Sequence, residues 1–396
     1  MSSNRDAWCC RATAPLSRPT PRYSMPISAA DRPPELPDDA MPHERDAHNP
    51  RDGRRPLVAG VTLAALRASE HAALPFNPFR SDTTLAHARA LEALGVDFLV
   101  IEDSALDTTG VADGHAALAL EAFTLASYLA VTTRHIGLVP VVNTNYAQPF
   151  AAARLIASLD HVSHGRAGWL AVTDESGNAA ANHGAAPSAD TQRRARQREF
   201  VDVVEQLFDS WESGAFVRDK ASGAFVDLTR AHFIEHAGAA FQVKGPLNIA
   251  ASPQGRPPRL RPDGRLGTDV STLTLQRVTP CVADTRAEAE LLAVGLNGAS
   301  EGTFEGTFNE AFVGTWADWE AHIATLHARA LDGAWLTLPP ARTRDLVYLT
   351  RLLEPFGLVE RPAGPVTLTR RLGLPPAINR HAAQRETARP IQDAHA

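Results

Sequence analysis

Hydrophobic and polar positions follow two different rhythms between residues 57 and 172. Short apolar runs, typical of strands buried on both faces, alternate with longer stretches in which apolar residues recur every three or four positions, as in amphipathic helices. The predicted strands are 57–63, 96–101, 135–142 and 169–172, and the predicted helices are 83–95, 119–133 and a third from about 149 to 164. This order predicts parallel strands flanked by helices.

The third predicted helix ends in LDHVSHGRAGWLAV, residues 159–172, which contains two histidines three residues apart. Three apolar residues repeat at the spacing of one helix face and are expected to be buried, namely Leu155, Leu159 and Val162. Gly165 can adopt the left-handed conformation that often ends a helix, and imidazoles suit the carbonyls of a helix end. We therefore interpret His161 and His164 as helix-end residues in preference to metal ligands or catalysts.

Composition separates two tails from a globular part. Residues 1–56 hold ten of the 29 prolines, many charges and no apolar periodicity, so they are expected to be disordered. Residues 57–382 are expected to form one domain, and residues 383–396 a flexible C-terminal tail. The net charge of −6 argues against a nucleic-acid binder, and no apolar run is long enough to cross a membrane. The three cysteines form neither a disulfide framework nor a zinc pattern, which suits a cytoplasmic protein.

Polar residues follow two of the predicted strands, at the edge where parallel α/β folds place their chemistry. Glu102, Asp103 and Ser104 follow the second strand, and a polar run from Asn143 to Tyr146 follows the third. Each residue could instead begin a loop or cap a helix, but two such clusters in succession favour a site. A doubly wound sheet and a (β/α)8 barrel both stay open, although the first strand is not followed by the G-x-G-x-x-G of dinucleotide-binding sheets.

The stretch LEAFTLASYLAVTTRHIGLVPVVNTNYAQPFAAARLIASLDHVSHGRAGW resembles the flavin-dependent monooxygenases related to bacterial luciferase. Within them it is most similar to the nitrilotriacetate and dibenzothiophene-sulfone monooxygenase branch. Further similar segments follow in the family's order: EFVDVVEQLFDSW (199–211), VRDKASGAFVD (217–227), GPLNIAASPQG (245–255), FVGT (312–315) and VTLTRRLGLPPAINRHA (366–382). The resemblance covers most of the chain after Leu57.

The resemblance implies an α/β fold, a (β/α)8 TIM-type barrel, that binds reduced FMN and uses O2 to oxygenate a small organic substrate. It also implies an NAD(P)H:flavin reductase that supplies the FMN, assembly with further copies of the chain, and no nucleic-acid or membrane partner. A flavin would carry the difficult chemistry, while the protein positions it and excludes water. The alternative is a non-catalytic relative that acts as a scaffold or partner subunit.

The family pattern also assigns residues to the cofactor site. Asp103 matches an acidic residue that contacts the flavin, and Thr144 or Asn145 matches the polar end of the third strand beneath the isoalloxazine. Ser252, in the SPQG turn, matches a phosphate-side contact, although it also suits an ordinary Ser-Pro turn. These residues are expected to face one cleft at the carboxyl ends of the strands. No metal ligand and no catalytic residue is assigned.

Three features depart from the family pattern. The family's flavin-contacting His and Tyr fall on Asp190 and Arg194, which we expect to form a surface ion pair, with Arg194 as a phosphate ligand the less favoured alternative. An asparagine of the family is replaced by Leu170. Finally, the segment between residues 255 and 272 is too short for the roughly 30 residues of a βαβ unit, so about two βα units are missing. Only six clear strands remain, where eight close such a barrel, which predicts a gap or a rearranged ring.

Overall fold

The computed structural model of the protein describes residues 56–63, 66–67, 81–102, 117–118, 120–173, 177–186, 188–268, 271–297, 310–339, 342, 345–358 and 366–388. Residues 1–55 of the predicted N-terminal tail lie outside these ranges, and so does the candidate flavin contact Asp103.

The described elements alternate largely as the sequence predicts. The strands are β1 (Val58–Leu63), β2 (Leu66–Arg67), β3 (Phe98–Ile101), β4 (Ala117–Leu118), β5 (Gly137–Asn143), β6 (Trp169–Val172), β7 (His236–Ala237), β8 (Gln242–Val243), β9 (Arg259–Leu260), β10 (Arg265–Gly267), β11 (Thr272–Ala283), β12 (Glu310–Thr315) and β13 (Gly333–Leu336). The helices are α1 (Ser81–Ala93), α2 (Ala122–Thr132), α3 (Pro149–Val162), α4 (Gly177–Asn182), α5 (Asp190–Asp209), α6 (Arg286–Asn297), α7 (Trp316–Ala324), α8 (Leu346–Leu353), α9 (Leu368–Arg371) and α10 (Arg380–Ala388).

Eight strands form a closed ring. Their order is β10-β9-β6-β5-β3-β1-β13-β11, and the ring closes because β11 also pairs with β10. The run from β6 through β5, β3, β1 and β13 to β11 is parallel throughout. Strand β12 adds to the carboxyl-terminal half of β11, beside the ring. The predicted TIM-type barrel is therefore confirmed, and the ring is closed.

A short hairpin stands where about two βα units are missing. Strands β9 and β10 are antiparallel, and they connect β6 on one side to the beginning of β11 on the other. The turn between them includes Gly264 at φ +84°, where a Cβ would lie 2.0 Å from the carbonyl oxygen of Leu275. The six strands counted from the sequence are thus too few, because two short pairing strands restore the ring.

The lumen of the barrel is filled by apolar side chains. They include Val58, Phe98, Val100, Val139, Val141, Leu170, Val172, Leu260, Leu266, Leu273, Leu275 and Trp335. Leu368 and Leu372, in and just after α9, join the same cluster and close its amino-terminal end. Arg371 fixes this plug, because it donates hydrogen bonds to the carboxylate of Asp97 and to the carbonyl of His135, both at 2.9 Å. Solvent is therefore kept from the lumen on that side.

The structure places both histidines at the end of α3. After Val162, His164 and Gly165 adopt φ values of 55° and 84°, so the chain leaves the helix in the left-handed conformation. The Nε2 atom of His161 lies 3.3 Å from the carbonyl oxygen of Ala250. Within the described residues, no group of three or more His, Cys, Asp or Glu side chains could hold a metal ion.

The predicted buried stripe of α3 is wrong for two of its three residues. Leu159 is buried, whereas Leu155 and Val162 are 47% and 44% exposed. The buried face instead comprises Pro149, Ala152, Ala153, Ile156, Ala157, Leu159 and Asp160. The small alanines of this face allow close packing. Because they recur at the same three-to-four spacing as the predicted stripe, the apolar pattern alone does not tell which of the two faces is buried.

The C-terminal helix α10 extends past the predicted domain end at residue 382. Arg380 donates to the carboxylate of Asp209 at 2.7 Å, and Arg385 donates to Glu212 at 2.6 Å. Both carboxylates are buried. The predicted flexible tail therefore starts too early, since these ion pairs hold α10 against the domain. Among the described residues, no helix has the length and apolarity to cross a membrane.

Candidate functional site

Polar side chains from neighbouring strands line the carboxyl end of the lumen. Trp335 of β13 donates its indole N–H to the hydroxyl of Thr62 at 2.8 Å, and that hydroxyl lies 3.4 Å from the hydroxyl of Thr337. The guanidinium of Arg277, which pairs in register with Trp335, lies 4.7 Å from the centre of the indole ring. These residues and Glu102, at the end of β3, form what we call the polar lumen end.

Two buried charges of opposite sign belong to the polar lumen end. Arg277 is 7% exposed and Glu102 is 9% exposed. Burial lowers the pKa of the Arg277 guanidinium, and the Glu102 carboxylate opposes this by favouring the charged form. An arginine keeps its charge in proteins, so a cation sits at the base of the barrel mouth. The sequence drew attention to Glu102 as part of a strand-end cluster but gave no signal for Arg277, which lies on the lumen-facing side of β11 after Leu273 and Leu275.

Thr144 and Asn145 lie together at the carboxyl end of β5, as predicted. The backbone N–H and the hydroxyl of Thr144 both donate to the carbonyl of Val172, the last residue of β6, at 2.9 Å. The N–H of Asn145 donates to the side-chain oxygen of Asn143 at 3.1 Å. Thr144 therefore joins two strand ends, and its hydroxyl proton is already used for this purpose.

Helix α5 places a further cation beside the carboxyl ends of β5 and β6, which we call the rim of the barrel. Arg196 donates from Nε to the carbonyl of Thr144 at 3.1 Å and from Nη2 to the carbonyl of Ala147 at 3.4 Å. Its guanidinium also lies 4.2 Å from the centre of the Phe241 ring. The sequence did not single out Arg196, because helical periodicity alone does not tell which charged residue of α5 faces the strand ends.

Two other contacts complete this rim. Gln197 donates its side-chain amide to the carbonyl of Ala171 in β6 at 3.1 Å. The ring of Tyr146 stacks on that of His183, just after α4, with centroids 4.4 Å apart and planes inclined by 6°. The segment after β6 is thus packed against the segment after β5, which gives the rim an aromatic wall.

Ser252 lies at the opposite end of the barrel. Its hydroxyl donates to the carboxylate of Asp160, which also accepts the N–H of Ala167 at 3.1 Å. Ala167 precedes β6, whereas Thr144 binds Val172 at the far end of β6; at about 3.3 Å per residue the two places are roughly 16 Å apart. The structure thus does not bring Ser252 together with Thr144 and Asn145. The reason is that the SPQG turn precedes strand β9, so it lies at the amino-terminal edge.

The environment of Ser252 gives it a structural role. Burial raises the pKa of the Asp160 carboxyl, and hydrogen bonds from Ser252 and Gln254 oppose this shift. Gln254 also links the network to the rest of the fold, since its side-chain amide donates to Asp160 at 2.6 Å and accepts from the backbone of Thr369 at 2.8 Å. The Ser252 hydroxyl proton is therefore directed to a carboxyl group and not to an external anion.

Arg194 forms the surface ion pair that the i, i+4 spacing favours. Its Nε lies 2.6 Å from Oδ2 of Asp190, and its side chain is 67% exposed. A pair of this kind contributes at most about 0.5 kcal/mol to helix stability. The geometry supports the ion pair and gives no support to Arg194 as a phosphate ligand.

Residues 58–261, about half of the chain, match the sequence profile of the luciferase-like monooxygenases. The chain belongs to this family. It is 48% identical over 141 residues to component A of nitrilotriacetate monooxygenase from Aminobacter aminovorans, a match that covers 35% of this chain and 31% of that protein. It is 41% identical over 171 residues to N-acetyl-S-(2-succino)cysteine monooxygenase from Bacillus subtilis, covering 43% and 38% of the two chains. The matched part thus spans about a third of these curated relatives.

Solved protein structures share the fold. EDTA monooxygenase from Chelativorans sp. BNC1 superposes with a TM-score of 0.64 at 21% identity, covering 81% of this chain and 99% of that one. DmoA from Hyphomicrobium sulfonivorans superposes with a TM-score of 0.65 at 19% identity, covering 85% and 96%. At this level of identity, the comparison establishes the barrel architecture alone.

The residues at the carboxyl end fit the FMN that the luciferase-like family implies. A flavin mononucleotide combines a planar aromatic ring, a polar pyrimidine edge and an anionic phosphate. The described residues offer the hydroxyl groups of Thr62 and Thr337 and two guanidinium groups. The guanidinium of Arg277 is buried at the polar lumen end, and that of Arg196 lies at the rim. Cations and donors of this kind suit the polar edge and the phosphate.

Proposed function

We propose that this luciferase-like protein is a monooxygenase that uses reduced FMN and O2 to oxygenate a small organic substrate. The polar lumen end carries the proposal, because charged and hydroxyl groups converge at the carboxyl end of a closed barrel whose other end is apolar and plugged. In parallel barrels this is the end where reactions take place. A separate NAD(P)H:flavin reductase would supply the reduced FMN.

The described residues suit three tasks in such a reaction. Arg277 and Glu102 would orient the polar edge of the cofactor, since they present a donor and an acceptor at the base of the mouth. Thr144 holds the ends of β5 and β6 together and so keeps the rim rigid. The apolar lumen and the α9 plug exclude water from below. When it is bound, reduced FMN would be the group that reacts with O2.

Anaerobic titration of the full chain with reduced FMN tests the proposal. We expect saturable binding by the wild type, and a loss of roughly tenfold or more in affinity for Arg277→Met, because a charged hydrogen-bond donor is removed. Arg286→Met is the matched control, since Arg286 is an exposed residue paired with Glu290 on α6. A folded wild-type protein that binds no reduced flavin would contradict the proposal.

Product analysis tests the reaction itself. The protein would be supplied with NADH, FMN, a flavin reductase and 18O2, together with small amines, thioethers and sulfones. We expect one substrate to gain a single labelled oxygen atom, detected by mass spectrometry, only when the protein and the reductase are both present. Labelled product in the absence of the protein would show that free reduced flavin is responsible.

The second candidate is a non-catalytic scaffold or partner subunit. It is favoured by the β9–β10 hairpin, which replaces units whose strand ends would otherwise help to surround a cofactor. This candidate predicts a folded chain with no affinity for reduced or oxidised FMN. Assembly with further copies and a cytoplasmic location also stay predictions; sedimentation velocity tests the first, and fractionation of expressing cells tests the second.

A further inference from the structure

The two residues that the sequence suggested for an anion are not placed to bind one, since Ser252 lies at the amino-terminal end and Arg194 is paired on the surface. We propose that Arg196 of α5 binds the phosphate of reduced FMN at the rim of the barrel. This assignment rests on the proposed function and names the residue through which the same site selects a phosphorylated flavin.

Arg196 is held in one orientation. Hydrogen bonds from Nε and Nη2 fix its guanidinium against the carbonyls of Thr144 and Ala147, and the face of the group packs on Phe241. Within the described residues, Nη1 makes no hydrogen bond. A guanidinium fixed in this way loses little conformational entropy when a ligand binds its remaining donors.

The charge of Arg196 also lacks a direct counter-ion. Among the residues that the structure describes, no carboxylate lies within ion-pair distance of it, in contrast to Arg194 two residues earlier. Burial lowers the pKa of Arg196, and the nearby Glu199 opposes the shift, but the Glu199 carboxylate is already bound by His236 and by the N–H groups of Ala240 and Phe241. A half-buried cation without a direct counter-ion is stabilised by an incoming anion.

The position of Arg196 places it beside a second feature that favours anions. Ala147, whose carbonyl it binds, comes two residues before Pro149, the first residue of the fourteen-residue helix α3. Gln148 at the N-cap makes no side-chain capping bond. The positive end of the α3 dipole therefore lies next to the guanidinium, and both act in the same direction on a phosphate group.

The test compares reduced FMN with reduced riboflavin, which lacks the phosphate, in anaerobic titrations of the full chain. The wild type is expected to bind FMN at least about tenfold more tightly than riboflavin. Arg196→Met should lower FMN affinity by about tenfold to a hundredfold and leave riboflavin affinity nearly unchanged. Arg196→Lys, which keeps the charge, should recover part of the preference. Arg194→Met, on the same helix but exposed, should behave as the wild type.

A purely structural role for Arg196 predicts something different. In that case Arg196→Met would weaken FMN and riboflavin binding by the same factor, and the assignment would be overturned. An unchanged preference for FMN in a folded Arg196→Met variant would overturn it as well. Thermal unfolding of each variant, together with the charge-retaining Arg196→Lys, separates loss of fold from loss of binding.

Inorganic phosphate serves as a second probe, independent of the flavin. If millimolar phosphate raises the melting temperature of the wild type but not of Arg196→Met, the anion site is supported. If no flavin binds in the same preparation, only the proposed monooxygenase function fails. If the wild type binds neither reduced FMN nor phosphate, both the function and the assignment fail.

Discussion

The hydroxyl of Ser252 is hydrogen-bonded to the buried carboxylate of Asp160, so the loop before β9 is joined to the last turn of α3. This contact accounts for the SPQG turn without any ligand. Its neighbours Gln254 and Ala167 belong to the same network. The turn therefore contributes to the stability of the barrel at the end remote from the proposed chemistry.

Substituting Ser252 by alanine should lower stability and leave flavin binding unchanged. A buried carboxyl group loses one of its donors, which costs about 1–3 kcal/mol in the free energy of unfolding. Urea unfolding measures the first effect, and anaerobic titration with reduced FMN measures the second. If Ser252→Ala instead lost FMN affinity at unchanged stability, the phosphate contact suggested by the family pattern would have to be restored.

A double-mutant cycle measures how much the hydrogen bond from Trp335 to Thr62 contributes to the free energy of unfolding. Thr62→Val keeps the shape of the side chain but leaves the indole N–H without its acceptor, at an expected cost of about 1–3 kcal/mol. Trp335→Phe removes the donor. The double variant should be less destabilised than the sum of the two single variants, by about 0.5–3 kcal/mol. Strict additivity of the unfolding free energies would show that the bond contributes nothing.

Gly60 and Phe98 share one volume inside the barrel. A Cβ on Gly60 would lie 2.1 Å from the ring of Phe98, a distance at which one of the two must move. Gly60→Ala should therefore destabilise the protein by about 1–3 kcal/mol or more. Adding Phe98→Leu should relieve part of that effect, so that the double variant loses less than the two single variants together. Thermal and urea unfolding of the three variants measure both effects. A Gly60→Ala variant as stable as the wild type would show that the lumen is loosely packed.

Cys281 should be unreactive at neutral pH. Burial raises the pKa of its thiol to about 11, so at pH 8 only about one molecule in a thousand carries the reactive thiolate. In a variant with Cys9→Ser and Cys10→Ser, alkylation by iodoacetamide should be very slow at pH 8. It should accelerate as the pH approaches 11 or when urea unfolds the chain. Fast modification of the folded protein at pH 8 would contradict the burial of Cys281.

Much of the fold could be predicted from the sequence because its first half is locally consistent. The strands expected at 57–63, 96–101, 135–142 and 169–172 appear as β1, β3, β5 and β6, with bounds shifted by at most two residues at any end. Strands β9 and β10 could not be predicted, because two or three residues in a Pro- and Arg-rich segment produce no detectable alternation. Their pairing depends on neighbours distant in sequence.

The candidate site was predictable only where a residue follows a strand. Thr144 and Asn145 come directly after β5 and lie at the rim. Ser252 lies elsewhere because the described barrel strand next to it in sequence, β9, follows it, which puts the SPQG turn at the amino-terminal edge. Arg196 and Arg277 gave no local signal, since one is an ordinary charged residue of a polar helix and the other follows Gln276 in a strand of mixed polar and apolar residues. Their roles depend on which face of each element meets the lumen or the rim.

Strand β11 is held in place by two different partners along the same edge, antiparallel β10 near its beginning and parallel β12 near its end. A sliding movement by one residue would have to break both sets of hydrogen bonds, together with the pairing to β13. Such a slip would turn Leu275 and Arg277 outward, and either Gln276 or Val278, according to its direction, would take the place of the cation. The β9–β10 hairpin thus helps to fix the register of β11. A barrel that has lost two βα units therefore keeps one defined set of side chains facing its lumen.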